Sequence, residues 1–113
     1  MENYRLIRPE HLNHYGFLFG GHLLMWVDEV AWVAASEDFP ECRFVTVGMD
    51  QVAFKKSVRE GIILRFESNQ HRIGKTSITY DVRVMNRDTE IFSTRVSLVR
   101  VDESGNKIPL PKK

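Results

Sequence analysis

The pattern of hydrophobic and polar positions divides the chain into a helical part followed by a part made of strands. Residues 21–36 are rich in Leu, Met and Ala, which favour a helix. The pair Phe39 and Pro40 ends this segment, because proline cannot continue a helix and disfavours helical backbone in the residue before it. Residues 4–7 predict a short first strand that stops at Pro9, and residues 10–19 predict a loop.

Beyond Pro40 the apolar residues follow the two-residue period of β-strands. The alternation is cleanest where Ile78, Tyr80, Val82 and Val84 face one way, and Thr79, Asp81 and Arg83 face the other. Strands are predicted at 44–54, 62–70, 76–85 and 91–101. Because short turns join them, we expect a meander of four mostly antiparallel strands. One curved sheet that wraps one long helix is an α+β fold, and dimerisation would close the side that so small a sheet leaves open.

Within the helix, one stripe of neighbouring positions is apolar apart from one carboxylate. The stripe contains Gly21, Leu24, Met25, Asp28, Ala31, Trp32 and Ala35. The stripe through His22, Glu29 and Ser36 is polar, so we expect Glu29 on the wetter side. A carboxylate among apolar residues is costly without a partner or a function. Asp28 is therefore a candidate functional residue, and the alternative is a carboxylate that only accepts hydrogen bonds.

Two glycines open the helix and leave its first N–H groups accessible to a developing negative charge. For Gly20 and Gly21 the alternative is a simple tight turn before the helix. Asn13, alone, is typical of a turn. The combination of Asn13, the glycine pair and Asp28 at this spacing predicts half of an active site.

The order of these residues resembles the signature of hotdog-fold acyl-CoA thioesterases. The shared positions are Asn13, Gly16, Phe19, Gly20 and Gly21, with Asp28 seven residues after the last glycine. Downstream, the segments 45–50, 52–61, 74–78 and 101–107 match the family in order. The likeness covers about residues 12–111, and it is strongest to the acyl-CoA thioester hydrolase group.

The resemblance implies a single hotdog domain over residues 1–113, with one long central helix wrapped by a curved antiparallel sheet. It also implies a homodimer joined edge to edge by its sheets, or a higher assembly of such dimers. The expected activity is hydrolysis of an acyl-CoA thioester to a free acid and coenzyme A, at a site built from both subunits.

In this chemistry Asp28 would attack the thioester carbonyl or deprotonate a water molecule. The N–H groups of Gly20 or Gly21 would stabilise the oxyanion. Asn13 would orient the water or support the loop. Phe17 departs from the family, since many members carry Asp or Asn after the first glycine of the motif, and this leaves Asp28 as the acting carboxylate.

Coenzyme A carries phosphates, which basic side chains at strand ends and turns can bind. The candidates are Arg72, Lys75, Lys55, Lys56 and Arg59, with Gly74, Thr76 and Ser77 of the turn that matches the family. Each cation alone fits a solvated surface residue equally well. The expected walls of the acyl pocket are Tyr15, Phe17, Met25 and Trp32, all of which would also suit an ordinary core.

The composition of the chain argues against some partners and locations. The chain has 113 residues and a formal net charge of +1, so nothing favours nucleic acid or an anionic membrane as a partner. The N-terminal residues lack the apolar core of a signal peptide, and Cys42 is the only cysteine, so a cytoplasmic location is expected. No cofactor is expected, because coenzyme A belongs to the substrate.

The four histidines do not predict a metal site, because no Cys or carboxylate stands near them at ligand spacing. They are His11, His14, His22 and His71. Two other functions stay open on the same fold. One is a non-catalytic module that binds acyl-CoA. The other is hydroxyacyl dehydration, which needs a histidine beside an acid, and the position of His22 on the polar stripe counts against it.

Overall fold

One long helix and five strands follow one another along the chain. The computed structural model describes residues 1–112, and Lys113, the last residue of the predicted domain, lies outside them. The elements are β1 (Glu2–Leu6), a 3-10 helix (Pro9–His11), α1 (Gly20–Asp38), β2 (Arg43–Phe54), β3 (Ile63–Ile73), β4 (Ser77–Asn86) and β5 (Thr89–Val101). The predicted helix and strands all form, with ends that differ by a few residues.

The five strands make one antiparallel sheet in the order β1-β3-β4-β5-β2. The hairpins β3–β4 and β4–β5 are those of the predicted meander. The prediction that β2 continues the meander beside β3 is wrong, because β2 pairs with β5. The place beside β3 is taken by β1.

The segment that joins β2 to β3 explains this order. The N–H groups of Lys55 and Lys56 donate to the carbonyl of Ile91 at 2.8 and 3.3 Å, which holds the end of β2 against β5. The N–H of Leu18 donates to the carbonyl of Val58 at 2.8 Å. The segment thus passes the start of α1 before β3 begins, and it is too long and too well anchored to be a hairpin turn.

The core lies between α1 and the sheet. The helix buries Leu23, Trp26, Val27, Val30, Ala31, Ala34 and Ala35. The inward-facing residues of β3, β4 and β5 complete this core, including Phe66, Tyr80, Val82 and Phe92. Each large apolar side chain buried here contributes about 1.5–3 kcal/mol. Irregularities in the pairing of β2 with β5 and of β3 with β4 bend the sheet around the helix.

The apolar stripe predicted on α1 is only partly buried. Ala31 and Ala35 face the sheet, whereas Met25 and Trp32 are 55% and 46% exposed. The neighbouring edge strand β2 also exposes apolar side chains, namely Val45, Val47, Val52 and Phe54. We call these six residues the α1–β2 flank. The prediction that one side of the helix stays open in a single subunit is confirmed there, and Glu29 is exposed as expected.

Within residues 1–112, no helix is both long enough and apolar enough to cross a membrane.

A buried tyrosine fastens the C-terminal end of α1 to the sheet. The Tyr80 hydroxyl donates to Oδ2 of Asp38 at 2.6 Å, and Nε2 of Gln70 donates to the same oxygen at 2.9 Å. Burial raises the pKa of Tyr80 far above its usual value, and the hydrogen bond to Asp38 acts in the same direction.

We expect Tyr80→Phe to lower the free energy of unfolding by about 1–2 kcal/mol, because it removes a buried hydrogen bond to a carboxylate. The unfolded state ionises this tyrosine near pH 10 and the folded state does not, so stability falls as the pH rises past about 10. Urea denaturation at pH 7 and pH 10.5 measures both effects. Tyr4→Phe is the matched control, since Tyr4 is 58% exposed. Equal losses in the two variants would contradict the assignment.

Candidate active site

The loop before α1 is shaped by Asn13. Its Oδ1 accepts hydrogen bonds from the backbone N–H groups of Tyr15 at 2.9 Å and Phe17 at 3.2 Å. Its own N–H donates to the carbonyl of Phe17 at 2.7 Å. Gly16 closes the loop with φ of +85°, a conformation that favours glycine. The acceptor of Asn13 is thus engaged with backbone, which favours the loop-supporting role over the orientation of a water molecule.

The start of α1 presents two free donors. The N–H groups of His22 and Leu23 both donate to the carbonyl of Phe19, at 3.0 and 3.2 Å. The N–H groups of Gly20 and Gly21 have no acceptor within residues 1–112. Because the helix dipole places partial positive charge at this end, two free donors here suit the binding of a negatively charged oxygen.

Asp28 is half-buried and has a partner on the edge strand. The hydroxyl of Thr46 in β2 donates to Asp28 Oδ1 at 2.6 Å. Oδ2 has no hydrogen-bond partner in the part of the chain that the structure describes, so this oxygen is available to a substrate or a water molecule. The sequence analysis does not predict Thr46 as a site residue. The one feature that could have indicated it is a hydroxyl side chain between Val45 and Val47 in an otherwise apolar stretch.

The spacing along α1 separates the carboxylate from the donors. Asp28 follows Gly20 by eight residues, which is about 12 Å along a helix. A reacting carbonyl has to lie about 3 Å from both its nucleophile and its oxyanion donors. Within one subunit Gly20 and Asp28 therefore cannot act on the same carbonyl group.

Phe17, which follows the first glycine of the loop motif, packs against a cation. The guanidinium carbon of Arg59 lies 4.3 Å from the centroid of the Phe17 ring. This cation–π contact holds Arg59 next to Gly16, at the side of the loop that precedes α1. Lys55 and Lys56 are also near this end of the helix, where they line a cavity together with Gly20.

The second group of predicted coenzyme A ligands lies at the opposite end of α1. Gly74 and Lys75 line a cavity of about 680 Å³ together with Phe39, which caps the helix C-terminus. A Cβ atom at position 74 would approach Ser77 Oγ to 2.7 Å, so a larger residue there would require the Ser77 side chain to rotate. The two ends of this 19-residue helix are about 28 Å apart. One subunit does not bring Arg72, Gly74, Lys75, Thr76 and Ser77 together with Gly20.

The predicted acyl-pocket residues do not form an enclosed slot by themselves. Tyr15 is 72% exposed, and Met25 and Trp32 lie on the α1–β2 flank. Trp32 donates its Nε1–H to the carbonyl of Phe44 at 3.2 Å. The Phe17 ring is covered by Arg59, and the Tyr15 ring lies 3.9 Å from the ring of His14 between centroids.

No cluster of three or more His, Cys, Asp or Glu side chains suited to a metal ion occurs within residues 1–112. The rings of His11 and His22 lie 5.3 Å apart at their centroids and both pack near Trp26.

The chain belongs to the thioesterase superfamily, whose family model matches residues 15–93. It is 30% identical over 112 residues to a protein of Bacillus subtilis named uncharacterized acyl-CoA thioester hydrolase YkhA, a match that covers 92% of this chain and 63% of that protein. Several curated relatives are longer than this chain, which spans less than two thirds of their length.

Solved structures agree over almost the whole chain. The hexameric thioesterase y2039 from Yersinia pestis matches with a TM-score of 0.91 and 27% identity, covering 98% of this chain and 94% of that one. Cj0915, a hexameric hotdog-fold thioesterase of Campylobacter jejuni, matches with a TM-score of 0.84 and 32% identity, covering 96% and 88%. The α+β hotdog fold expected from the sequence is thereby confirmed.

We expect Asn13→Ala to lower the free energy of unfolding by about 1 kcal/mol, because two backbone N–H groups lose their side-chain acceptor. Asn13→Asp keeps an oxygen acceptor and should stay close to the parent protein. Thermal denaturation of both variants tests this role. If Asp at this position were as destabilising as Ala, the Asn13 side chain would have a role other than accepting these two bonds.

Proposed function

We propose that the chain is an acyl-CoA thioester hydrolase whose catalytic carboxylate is Asp28. The observation that carries the proposal is the placement of Asp28. It is half-buried, it is held on one oxygen by Thr46, and it lies on a helix whose first two N–H groups are free. Membership of the thioesterase superfamily and the name of the Bacillus relative support the same reaction.

In the proposed reaction the thioester carbonyl oxygen accepts hydrogen bonds from the N–H groups of Gly20 and Gly21. Asp28 either attacks the carbonyl carbon or removes a proton from a water molecule that attacks it. The carbon–sulfur bond then breaks and coenzyme A leaves as its thiol. Where water attacks, the proton that Asp28 removed from the water passes to the sulfur. Where Asp28 attacks, the thiolate takes a proton from solvent, and water hydrolyses the mixed anhydride to the free acid and restores the Asp28 carboxylate. Each oxyanion donor is worth about 3 kcal/mol in the transition state.

The site is proposed to form between two subunits. Asp28 and Gly20 lie too far apart along one helix, whereas two antiparallel helices related by a two-fold axis would bring Asp28 of one subunit to the partner's Gly20. The α1–β2 flank supports this arrangement, since it exposes six apolar side chains beside an unpaired strand edge. The two solved relatives are described as hexameric, and for this chain we propose a dimer or an assembly of dimers.

Coenzyme A is proposed to be bound at both helix ends. Lys55, Lys56 and Arg59 lie near the oxyanion donors of their own subunit. Arg72, Lys75 and the turn with Gly74, Thr76 and Ser77 lie about 28 Å away, so we assign them to the part of coenzyme A that extends towards a neighbouring subunit. The cavity beside Lys75 is largely apolar, which suits the non-phosphate parts of the molecule.

We expect Asp28→Asn to lower kcat for acyl-CoA hydrolysis by about 10²–10⁴-fold, the range typical of a lost acid–base group. Release of free thiol from acetyl-, butyryl- and octanoyl-CoA measures the effect. The matched control is Glu29→Gln, because Glu29 is the next residue and forms an exposed ion pair with Arg5. It should keep the parent rate.

Light scattering should give the same oligomeric state for the Asp28→Asn and Glu29→Gln variants.

Thr46→Val should lower kcat by about tenfold and leave KM nearly unchanged, since Thr46 positions Asp28 by a charge-assisted hydrogen bond. An unchanged kcat in Asp28→Asn would contradict the proposed mechanism. If the parent protein binds acyl-CoA and releases no thiol, the chain is a non-catalytic binding module.

A further inference from the structure

The segment between β2 and β3 carries three cations near the start of α1, and they differ in their partners. Lys55 forms an ion pair with Glu90, so its charge is already balanced within the subunit. Lys56 and Arg59 are exposed, and within residues 1–112 neither forms an ion pair with a carboxylate. These two charges are therefore available to an anion that comes from outside the protein.

Arg59 differs from Lys56 because an aromatic ring holds it in place. Its guanidinium carbon lies 4.3 Å from the centroid of the Phe17 ring. Its Nη1 lies 3.6 Å from the position that a Cβ atom on Gly16 would take. A cation–π contact uses no conventional hydrogen bond, and no N–H group of Arg59 donates to another group in the described part of the chain. The guanidinium is thus oriented while its donors remain unused.

The backbone on both sides of this contact is fixed. The N–H of Phe17 donates to Asn13 Oδ1 at 3.2 Å, and the carbonyl of Phe17 accepts the N–H of Asn13 at 2.7 Å. One residue further on, the N–H of Leu18 donates to the carbonyl of Val58 at 2.8 Å. The ring and the guanidinium therefore belong to two segments that are bonded to each other. Arg59 has less conformational freedom to lose on binding than a free surface side chain has.

We propose that Phe17 is a positioning residue that orients Arg59 to bind a phosphate group of coenzyme A. The proposal rests on the acyl-CoA function proposed above. A guanidinium donates two parallel charge-assisted hydrogen bonds to a phosphate, whereas a lysine ammonium acts as a point charge. Phe17 then acts through Arg59 instead of lining the acyl pocket. The diphosphate and the ribose phosphate of coenzyme A offer the same chemistry, and binding measurements separate them.

Paired substitutions separate the charge from the ring. Arg59→Gln removes the charge, and Arg59→Lys keeps the charge without the planar guanidinium. Phe17→Leu removes the ring and keeps an apolar side chain, whereas Phe17→Tyr keeps the ring. Arg95→Gln is the matched control, because Arg95 lies on the central strand β5, pairs with Asp81 at 2.8 Å and belongs to no part of the proposed site.

Calorimetry measures Kd for coenzyme A, for dephospho-coenzyme A, which lacks the ribose phosphate, and for pantetheine, which has no phosphate. We expect Arg59→Gln to raise Kd for coenzyme A by about tenfold or more, because charged hydrogen bonds are lost, and Arg59→Lys to raise it less. Phe17→Leu should raise it about two- to fivefold, the value of an exposed cation–π contact. Phe17→Tyr and Arg95→Gln should stay within about twofold of the parent.

None of these variants should change Kd for pantetheine. A loss in Arg59→Gln that persists with dephospho-coenzyme A assigns Arg59 to the diphosphate, and a loss that disappears assigns it to the ribose phosphate. Thiol release from butyryl-CoA and butyryl-pantetheine gives the same comparison during turnover. Arg59→Gln should raise KM for the coenzyme A thioester, leave kcat nearly unchanged, and leave both constants unchanged for butyryl-pantetheine.

Equal losses with butyryl-CoA and butyryl-pantetheine in Arg59→Gln would overturn the phosphate site. A Phe17→Tyr protein as weak as Phe17→Leu would overturn the role of the ring. So would a Phe17→Leu effect that grows with acyl length in a series of pantetheine thioesters, since that result places the ring against the acyl chain.

The two proposals fail separately. If coenzyme A binds with the expected pattern and the parent protein releases no thiol, the hydrolase function fails and the phosphate site stands. If the parent releases thiol and Arg59→Gln binds and hydrolyses butyryl-CoA like the parent, the hydrolase function stands and the phosphate site is overturned.

Discussion

The structure depends on how much of one apolar helix a single small sheet can cover. Five strands bury the face of α1 that carries Trp26, Val27 and Val30. The sheet ends at β2, and beyond that edge Met25 and Trp32 remain exposed. A monomer with this flank would leave these apolar side chains and an unpaired strand edge in water. The same constraint that stabilises the fold therefore favours a second subunit.

The candidate site lies at the boundary between the covered and the uncovered side. Asp28 is on α1 and its partner Thr46 is on the edge strand, so the hydrogen bond between them links the helix to the open edge of the sheet. The free N–H groups of Gly20 and Gly21 are at the end of the same helix. Because a helix is rigid, its rise per residue fixes the separation of these groups, and the proposed reaction therefore requires a second helix to bring donor and carboxylate to one carbonyl.

The sequence permits prediction of the elements but not of all their neighbours. The alternation from Ile78 to Val84 predicts a half-buried strand, and that strand forms. The position of β2 beside β5 was not predictable from local pattern, because it depends on backbone bonds from Lys55 and Lys56 to Ile91 that are distant in sequence. If residues 55–62 are taken as a short turn, β3 is predicted as the neighbour of β2, whereas the neighbour in the structure is β5.

In the site, too, some residues could be predicted from the sequence and others could not. Asp28 stands out because a carboxylate in an apolar stripe is unusual, and the glycine pair stands out because it opens a helix. Thr46 is an ordinary strand residue by composition, and only the fold places its hydroxyl on Asp28. Helix periodicity identifies Met25 and Trp32 as apolar positions, but it does not tell which apolar side of the helix faces the sheet and which stays exposed in a single subunit.

The most direct test of this account is activity in mixed dimers of Asp28→Asn and Gly20→Pro subunits. Proline removes the N–H at the first helical position, where it is tolerated, and Phe19 before it is already extended. Each variant alone should have little activity. If Asp28 acts with the partner's Gly20, a purified mixed dimer contains one intact site and should regain about half of the parent rate per dimer. Activity in the mixed dimer no higher than in either variant alone would contradict a site shared between subunits.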